Sequence, residues 1–397
     1  MKILVVHSCK LKLVYICKNV FMYSDYFIIQ EQALRGRYVN FEQIVPLINS
    51  LIDSEFNVST EGYSVNGIPI YSIGVGSGNK KVLMWSQMHG NESTTTKAIF
   101  DFINLLKTKH ENIYSSHLLE NFTFKIIPML NPDGAELYKR ENANKVDLNR
   151  DAQHQTQSEI KTFFKVFDEF KPDVCLNLHD QRTIFSAGKT GKSAIISFLA
   201  PSIDEDKTQT PPRMYAMQLI AYMANCLNKQ INGHIGRYDD GFNLNCIGDT
   251  LQSKGIPTIL FEAGHFPGDY EREKTREIIF NSFLFLFDGL LNKKLPGVSS
   301  YFLLPENQKL FFDVLIKNVK IPYKSELTDV AIQFEEQLKQ KKINLIPKIV
   351  RIDNLKGYFG HKMIEARGEE ILVNNSNHLK IDMVIDKILV GGQKVSL

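Results

Sequence analysis

Short apolar runs bounded by turn-forming residues alternate along this chain with stretches whose apolar positions recur every three to four residues. The runs Val82-Leu83-Met84-Trp85, Val174-Cys175-Leu176-Asn177-Leu178 and Thr258-Ile259-Leu260-Phe261 have the length and bounds of buried strands. Residues 41–52, 93–106, 211–229 and 271–291 have helical periodicity. Behind Thr156-Gln157-Ser158-Glu159, which has the form of a capping box, Ile160, Phe163, Phe164 and Phe167 fall on one helical face. From Tyr63 onward strands and helices alternate, which predicts an α/β body with a sheet covered on both faces.

The pattern breaks at Lys293-Lys294-Leu295-Pro296-Gly297. Beyond it the spacing predicts a helix over 328–340 and strands around 348–352, 370–373 and 380–388, a small α+β unit. The expected organisation is an extension and leading helix over 1–59, a catalytic body over 60–293 and an accessory domain of unassigned role over 298–397. His361, beside glycines in Gly357-Tyr358-Phe359-Gly360-His361, is expected at a turn and not as a ligand.

Length and composition add bounds. A chain of 397 residues allows about two domains, and 43% hydrophobic residues is ordinary for a globular protein. With 47 basic and 44 acidic residues, the net charge of +3 gives no reason to expect a nucleic acid or a membrane as partner. No apolar run reaches membrane-spanning length. Five cysteines at irregular spacing, without a CxxC, read as thiols of a reducing compartment. The first twenty residues start like a signal peptide, but Lys10, Lys12 and Lys18 interrupt the apolar stretch. A cytoplasmic protein is expected over a secreted or periplasmic one, with Met22 as an alternative start.

The chemistry centres on His89-Gly90-Asn91-Glu92, between the first strand and its helix. Imidazole nitrogen and carboxylate oxygen are good zinc ligands, and this spacing lets both face one point. A second such pair, His117 and Glu120, lies in a polar stretch with no strand leading into it and is expected at the surface. Catalytic zinc usually takes three protein ligands. His179 ends the second buried run and is the candidate third. Glu262 closes the third run, where burial raises a carboxylate's pKa and suits it to general-base work. Sites in open α/β sheets collect at the carboxyl ends of strands, where these residues fall.

Between these points come Asn131-Pro132-Asp133-Gly134, Arg140 and Val146-Asp147-Leu148-Asn149-Arg150, with Tyr238-Asp239-Asp240-Gly241 and Phe261-Glu262-Ala263-Gly264 downstream. In this set and order the chain resembles the zinc metallocarboxypeptidases related to carboxypeptidase A, over roughly residues 60 to 293. The resemblance implies an α/β/α sandwich with a mixed, mainly parallel sheet. It implies one zinc ion per chain on His89, Glu92 and His179, Glu262 as base, and Arg140 as oxyanion stabiliser. Asn149 and Arg150 would clamp the substrate's terminal carboxylate, and Tyr238 would close over it. The expected partner is a peptide or acyl-amino-acid with a free carboxylate. The alternatives are a zinc deacylase of N-acyl amino acids, as in the aspartoacylase-like relatives, and a non-catalytic binding relative. The chain departs from the digestive members at His179-Asp180-Gln181-Arg182, which leaves the neighbouring subsites open.

Overall fold

The computed structural model describes residues 13–17, 20–23 and 26–397, apart from 53, 111 and 293. The extension expected ahead of Met22 lies mostly outside them; strand β1 (Leu13–Cys17) and part of β2 (Val20–Tyr23) are what is described of it. Helices α1 (Tyr26–Ile29) and α2 (Phe41–Asn49) lead into β3 (Asn57–Tyr63), β4 (Pro69–Val75) and β5 (Lys80–Ser86). Then follow α3 (Thr94–Lys107), α4 (Ile113–Asn121), β6 (Phe122–Ile127), α5 (Pro132–Glu136) and α6 (Ser158–Phe170). Next are β7 (Val174–Asp180), β8 (Phe185–Ala187), β9 (Ile196–Leu199), α7 (Pro211–Leu227) and β10 (Ile235–Arg237). Helix α8 (Ile247–Ser253), β11 (Thr258–Ala263) and α9 (Glu273–Leu291) complete the body.

Eight of these strands form one sheet in the order β10-β9-β11-β7-β5-β6-β4-β3. The central four, β11, β7, β5 and β6, are mutually parallel, and antiparallel pairs flank them. Because side chains alternate across a strand, neighbours separate into two cores. Val82 and Met84 join Leu176, Leu178, Ile259 and Phe261 in the core beneath α3, α7 and α9. Leu83, Trp85 and Cys175 face the other way, onto Ile160, Phe163, Phe164 and Phe167 of α6 and onto Ile247 and Leu251 of α8. The sheet is therefore covered on both faces, as the alternating pattern predicts.

The capping box expected before α6 is not what starts that helix. The N-cap is Gln157, without a side-chain cap bond, and the Asp151 carboxylate accepts from the Thr156 and Gln157 amides. Asp151, five and six residues upstream of these amides, thus anchors the entry to the helix, which the local spacing could not reveal.

After α10 (Ser299–Phe302) the chain turns to strands: β12 (Asn307–Lys309), β13 (Phe311–Val319), β14 (Thr328–Lys339), β15 (Lys342–Asp353), β16 (Phe359–Glu365), β17 (Ile371–Val373), β18 (Ile388–Val390) and β19 (Gln393–Lys394). The expected helix over 328–340 is β14. Its Glu-Glu-Gln-Leu-Lys stretch has good helix formers, but Gln340 and Lys341 both adopt positive φ, 51° and 57°. They form a two-residue hairpin turn that pairs Lys339 with Lys342 and runs β14 against β15. Tertiary pairing thus overrides local propensity. The expected strand over 380–388 is loop until its last residue, apart from an isolated bridge between Val384 and Lys348, and His361 lies in β16, not in a turn. Its ring packs 4.2 Å from His265 and 4.7 Å from Phe311, centroid to centroid.

Candidate metal centre

The loop after β5 carries His89 and Glu92 and is welded to the Asn131-Pro132-Asp133-Gly134 turn. Leu130 and Asn131 donate their amides to Ser86 and Gln87, and the Asn131 side chain donates to Met88 O. The two loops touch backbone to backbone at Gly90, where an added Cβ would lie 1.9 Å from the Gly134 carbonyl carbon. No residue but glycine fits there without moving one loop. The Asn131 amide also reaches Arg140 O, so one turn positions both the ligand loop and the arginine.

His179 arrives on β7, and the next residue fixes it to the first loop. Asp180 accepts from the Thr94 amide and hydroxyl at the start of α3, at 3.0 and 2.6 Å. The result is a tight, buried triad. Nδ1 of His89 lies 2.8 Å from Glu92 Oε1, Nδ1 of His179 lies 2.8 Å from Glu92 Oε2, and the two Nδ1 atoms are 3.1 Å apart. Two imidazole lone pairs and a carboxylate facing one point are the donor set of a divalent cation, and His, His and Glu suit zinc. His89 Nε2 lies 3.1 Å from Asp147 Oδ1, a carboxylate that orients the ring with Nδ1 inward. Asp147 belongs to the Val-Asp-Leu-Asn-Arg run, yet its own role was not legible from it. His179 Nε2 is buried without a partner among the described residues.

Arg140 reaches over this triad. Its guanidinium donates to Asp147 Oδ2 at 3.0 Å and to Glu92 Oε1 at 3.3 Å. Glu262 stands on β11 as the parallel register partner of His179. Burial first, then the like charges of Glu92 and Asp180, raise its pKa well above the usual carboxylate range. Glu262 Oε2 has no hydrogen-bond partner among the described residues. Behind it Arg272, buried, donates to the carbonyls of Ala263, Gly264 and Gln181 and so staples the ends of β11 and β7. No sequence pattern marked Arg272.

Every site residue expected from the sequence lines one cavity of about 670 Å³: His89, Glu92, Arg140, Asn149, Arg150, His179, Tyr238 and Glu262. Asn149 commits Oδ1 to the Ile247 amide, and its Nδ2 donates no hydrogen bond among the described residues. Arg150 is exposed, donates to Asn149 O and to the Cys246 sulfur at 3.1 Å, and makes no ion pair with a carboxylate among the described residues. Tyr238 packs edge-on against Phe185, and the Glu262 charge together with burial raises its phenol pKa. The strand β12, from beyond the expected body, also lines the cavity through Asn307, Gln308 and Lys309.

Residues 45–187 match the zinc carboxypeptidase family model. This segment is zinc carboxypeptidase-like, as the motifs predict. It holds all three candidate metal ligands, Arg140, Asn149 and Arg150; Glu262 and Tyr238 lie outside it and rest on geometry. Carboxypeptidase SOL1 of Arabidopsis thaliana is 32% identical over 97 residues, which are 23% of this chain and 20% of that protein. The chain thus matches only about a fifth of the length of this curated relative. A metallo-carboxypeptidase from Burkholderia cenocepacia superposes with a TM-score of 0.52 at 15% identity, over 64% of this chain and 69% of that one. Carboxypeptidase A from Helicoverpa armigera gives 0.51 at 15% identity, over 64% and 73%. At this identity the likeness is one of fold: the zinc carboxypeptidase-like segment sits in a carboxypeptidase-like sheet.

Proposed function

We propose that the protein is a zinc-dependent metallocarboxypeptidase that removes the last residue of a peptide with a free carboxylate. One observation carries this reading. The His89–Glu92–His179 triad, a buried Glu262 whose Oε2 has no hydrogen-bond partner among the described residues, and an Arg150 with no carboxylate partner among them all line the same cavity. Zinc held by His89, Glu92 and His179 would supply a Lewis acid, which can lower the pKa of a water from about 15.7 to about 7. Glu262, desolvated and raised in pKa, accepts that water's proton and returns one to the leaving amine. Arg140 offers a fixed positive charge to the developing oxyanion. The fork of Arg150 and the Asn149 amide nitrogen take the terminal carboxylate. Catalysis on this reading belongs to residues 60–293 together with β12.

The test is a panel of C-terminally varied dipeptides beside N-acyl amino acids, using full-length protein with its metal content measured. Metal-dependent release of the terminal residue from the peptides is expected. Turnover of the N-acyl amino acids alone would replace this reading with the deacylase.

A further inference from the structure

Glu262 sits between two register partners, His179 on β7 and Ser197 on β9. Directly paired residues of antiparallel strands project from the same face, with Cβ atoms roughly 5 Å apart. A serine hydroxyl thus stands beside the carboxylate, while Glu262 Oε2 has no hydrogen-bond partner among the described residues.

The Ser197 hydroxyl is engaged elsewhere. It donates to Asn307 Oδ1 at 3.0 Å; Asn307 Nδ2 donates to Gln181 Oε1 at 2.8 Å; Gln181 Nε2 donates back to Ser197 Oγ at 3.1 Å. Three side chains close a ring in which each donates once and accepts once, an arrangement in which each bond strengthens the next. Gln181 and Ser197 are buried. Gly236 on β10 leaves room for the ring, since an added Cβ would lie 1.8 Å from Asn307 Oδ1. Asn307 comes from the C-terminal segment. Strand β12 pairs it with Ala187 on β8, and the Arg237 amide donates to Pro305 O just before it.

We propose that Asn307 is a positioning residue: by closing this ring it keeps the Ser197 hydroxyl turned away from Glu262 and leaves that carboxylate free to act as base. The inference rests on the carboxypeptidase reading. It gives residues 298–397 a part in the active site. Without Asn307 the hydroxyl loses its acceptor, and the adjacent carboxylate is the strongest one available.

Asn307→Ala, Ser197→Ala and the double variant are compared as full-length, zinc-loaded proteins. Asn307→Ala should lower kcat about tenfold or more, a fraction of the roughly 10²–10⁴ a general base contributes, with KM and zinc content unchanged. Ser197→Ala should stay close to wild type. The double variant should recover to the Ser197→Ala level, because no hydroxyl is left to occupy Glu262. A double variant as slow as Asn307→Ala, or an Asn307→Ala that changes KM alone, overturns the proposal. Hydrogen exchange keeps the two readings apart. Amides at the ends of β7 and β11 should exchange faster in Asn307→Ala at unchanged Tm, whether or not the wild type hydrolyses peptides. Wild-type exchange there overturns the ring's role. An inactive wild type in which the variant does exchange faster counts against the carboxypeptidase reading alone.

Discussion

His179 and Glu262 stand directly opposite each other on the adjacent parallel strands β7 and β11. Parallel pairing with a shared register sends both side chains out of the same face at the same height. The candidate ligand and the candidate base therefore stand side by side without any loop having to place them. The parallel pairing does the rest, because the loops after parallel strands gather at one end of the sheet. His89 and Glu92 enter from the loop after β5, the strand next to β7 on its other side.

That geometry predicts a metal site that fails as a unit. His89→Ala and His179→Ala should each lose zinc, measured by elemental analysis on protein purified without chelator. Loss of a ligand leaves two donors where three converge, too few for a catalytic zinc site. Full retention of zinc by either variant would remove that residue from the site. Asp147→Asn should keep the ion but weaken its binding by about 10–100-fold, the usual effect of removing a partner that orients a ligating histidine.

Glu262→Gln should fold, bind zinc and lose at least about 10²-fold in kcat, since glutamine keeps the size but accepts no proton. The pH profile carries the same information in the wild type. A base works only when ionised, so kcat/KM falls as pH drops through its pKa. Burial holds that pKa well above the ordinary glutamate value of about 4.3, and the acid limb should appear correspondingly above it. An acid limb at or below the ordinary value would assign the base to another group.

Much of this site was legible because motif residues carry their chemistry in their spacing. The Gly90 turn, the His89–Glu92 interval and the strand-end histidine each follow from local rules. The partners that hold them do not. Asp151 caps α6 from outside its first turn, Arg272 reaches back to two strands, and Asn307 arrives from a segment that looked separate. Each acts through a contact distant in sequence, which periodicity and spacing do not encode. The same reason misplaced β14: its fate was decided by pairing with β15 across a two-residue turn, not by the helix propensity of Glu335 to Lys339.

A buried ion pair behind the body offers a test of stability independent of function. Arg276 and Asp101 have fully buried side chains, joined by two hydrogen bonds of 2.7 and 2.5 Å. The pair links α3 to α9, and Arg276 also donates to Leu34 O and Glu31 O, tying the N-terminal arm to both. Asp101→Asn removes the charge and one acceptor while leaving the guanidinium buried. The expected loss is about 3 kcal/mol, the lower end of the range for breaking such a pair, because Glu273 still reaches Arg276 at 3.1 Å. Urea unfolding should show it as a lower midpoint at unchanged slope. A loss below about 1 kcal/mol would mean that the pair contributes no more than an exposed one.

Arg150 separates a carboxypeptidase from a general zinc peptidase. Its guanidinium lies in the cavity wall beside Asn149 and Cys246 and makes no ion pair with a carboxylate among the described residues, which leaves it able to receive one from the substrate. A planar two-donor fork matches a carboxylate and has nothing equivalent to offer an amide. Wild type should therefore cleave free-acid peptides far faster than the same peptides blocked as C-terminal amides. Arg150→Ala should slow the acids by roughly ten- to hundredfold in kcat/KM, the worth of about 1.5–3 kcal/mol for hydrogen bonds to a charged group. The amides, already poor, should change little. Arg150→Lys keeps the charge but not the fork and should recover only part of the loss. Equal cleavage of both forms by wild type would remove the clamp and favour an endopeptidase, or an acylase indifferent to the chain end. A strong acid preference that survives in Arg150→Ala would keep the clamp and assign it to another cation at the cavity, with Arg182 and Lys309 the next to replace.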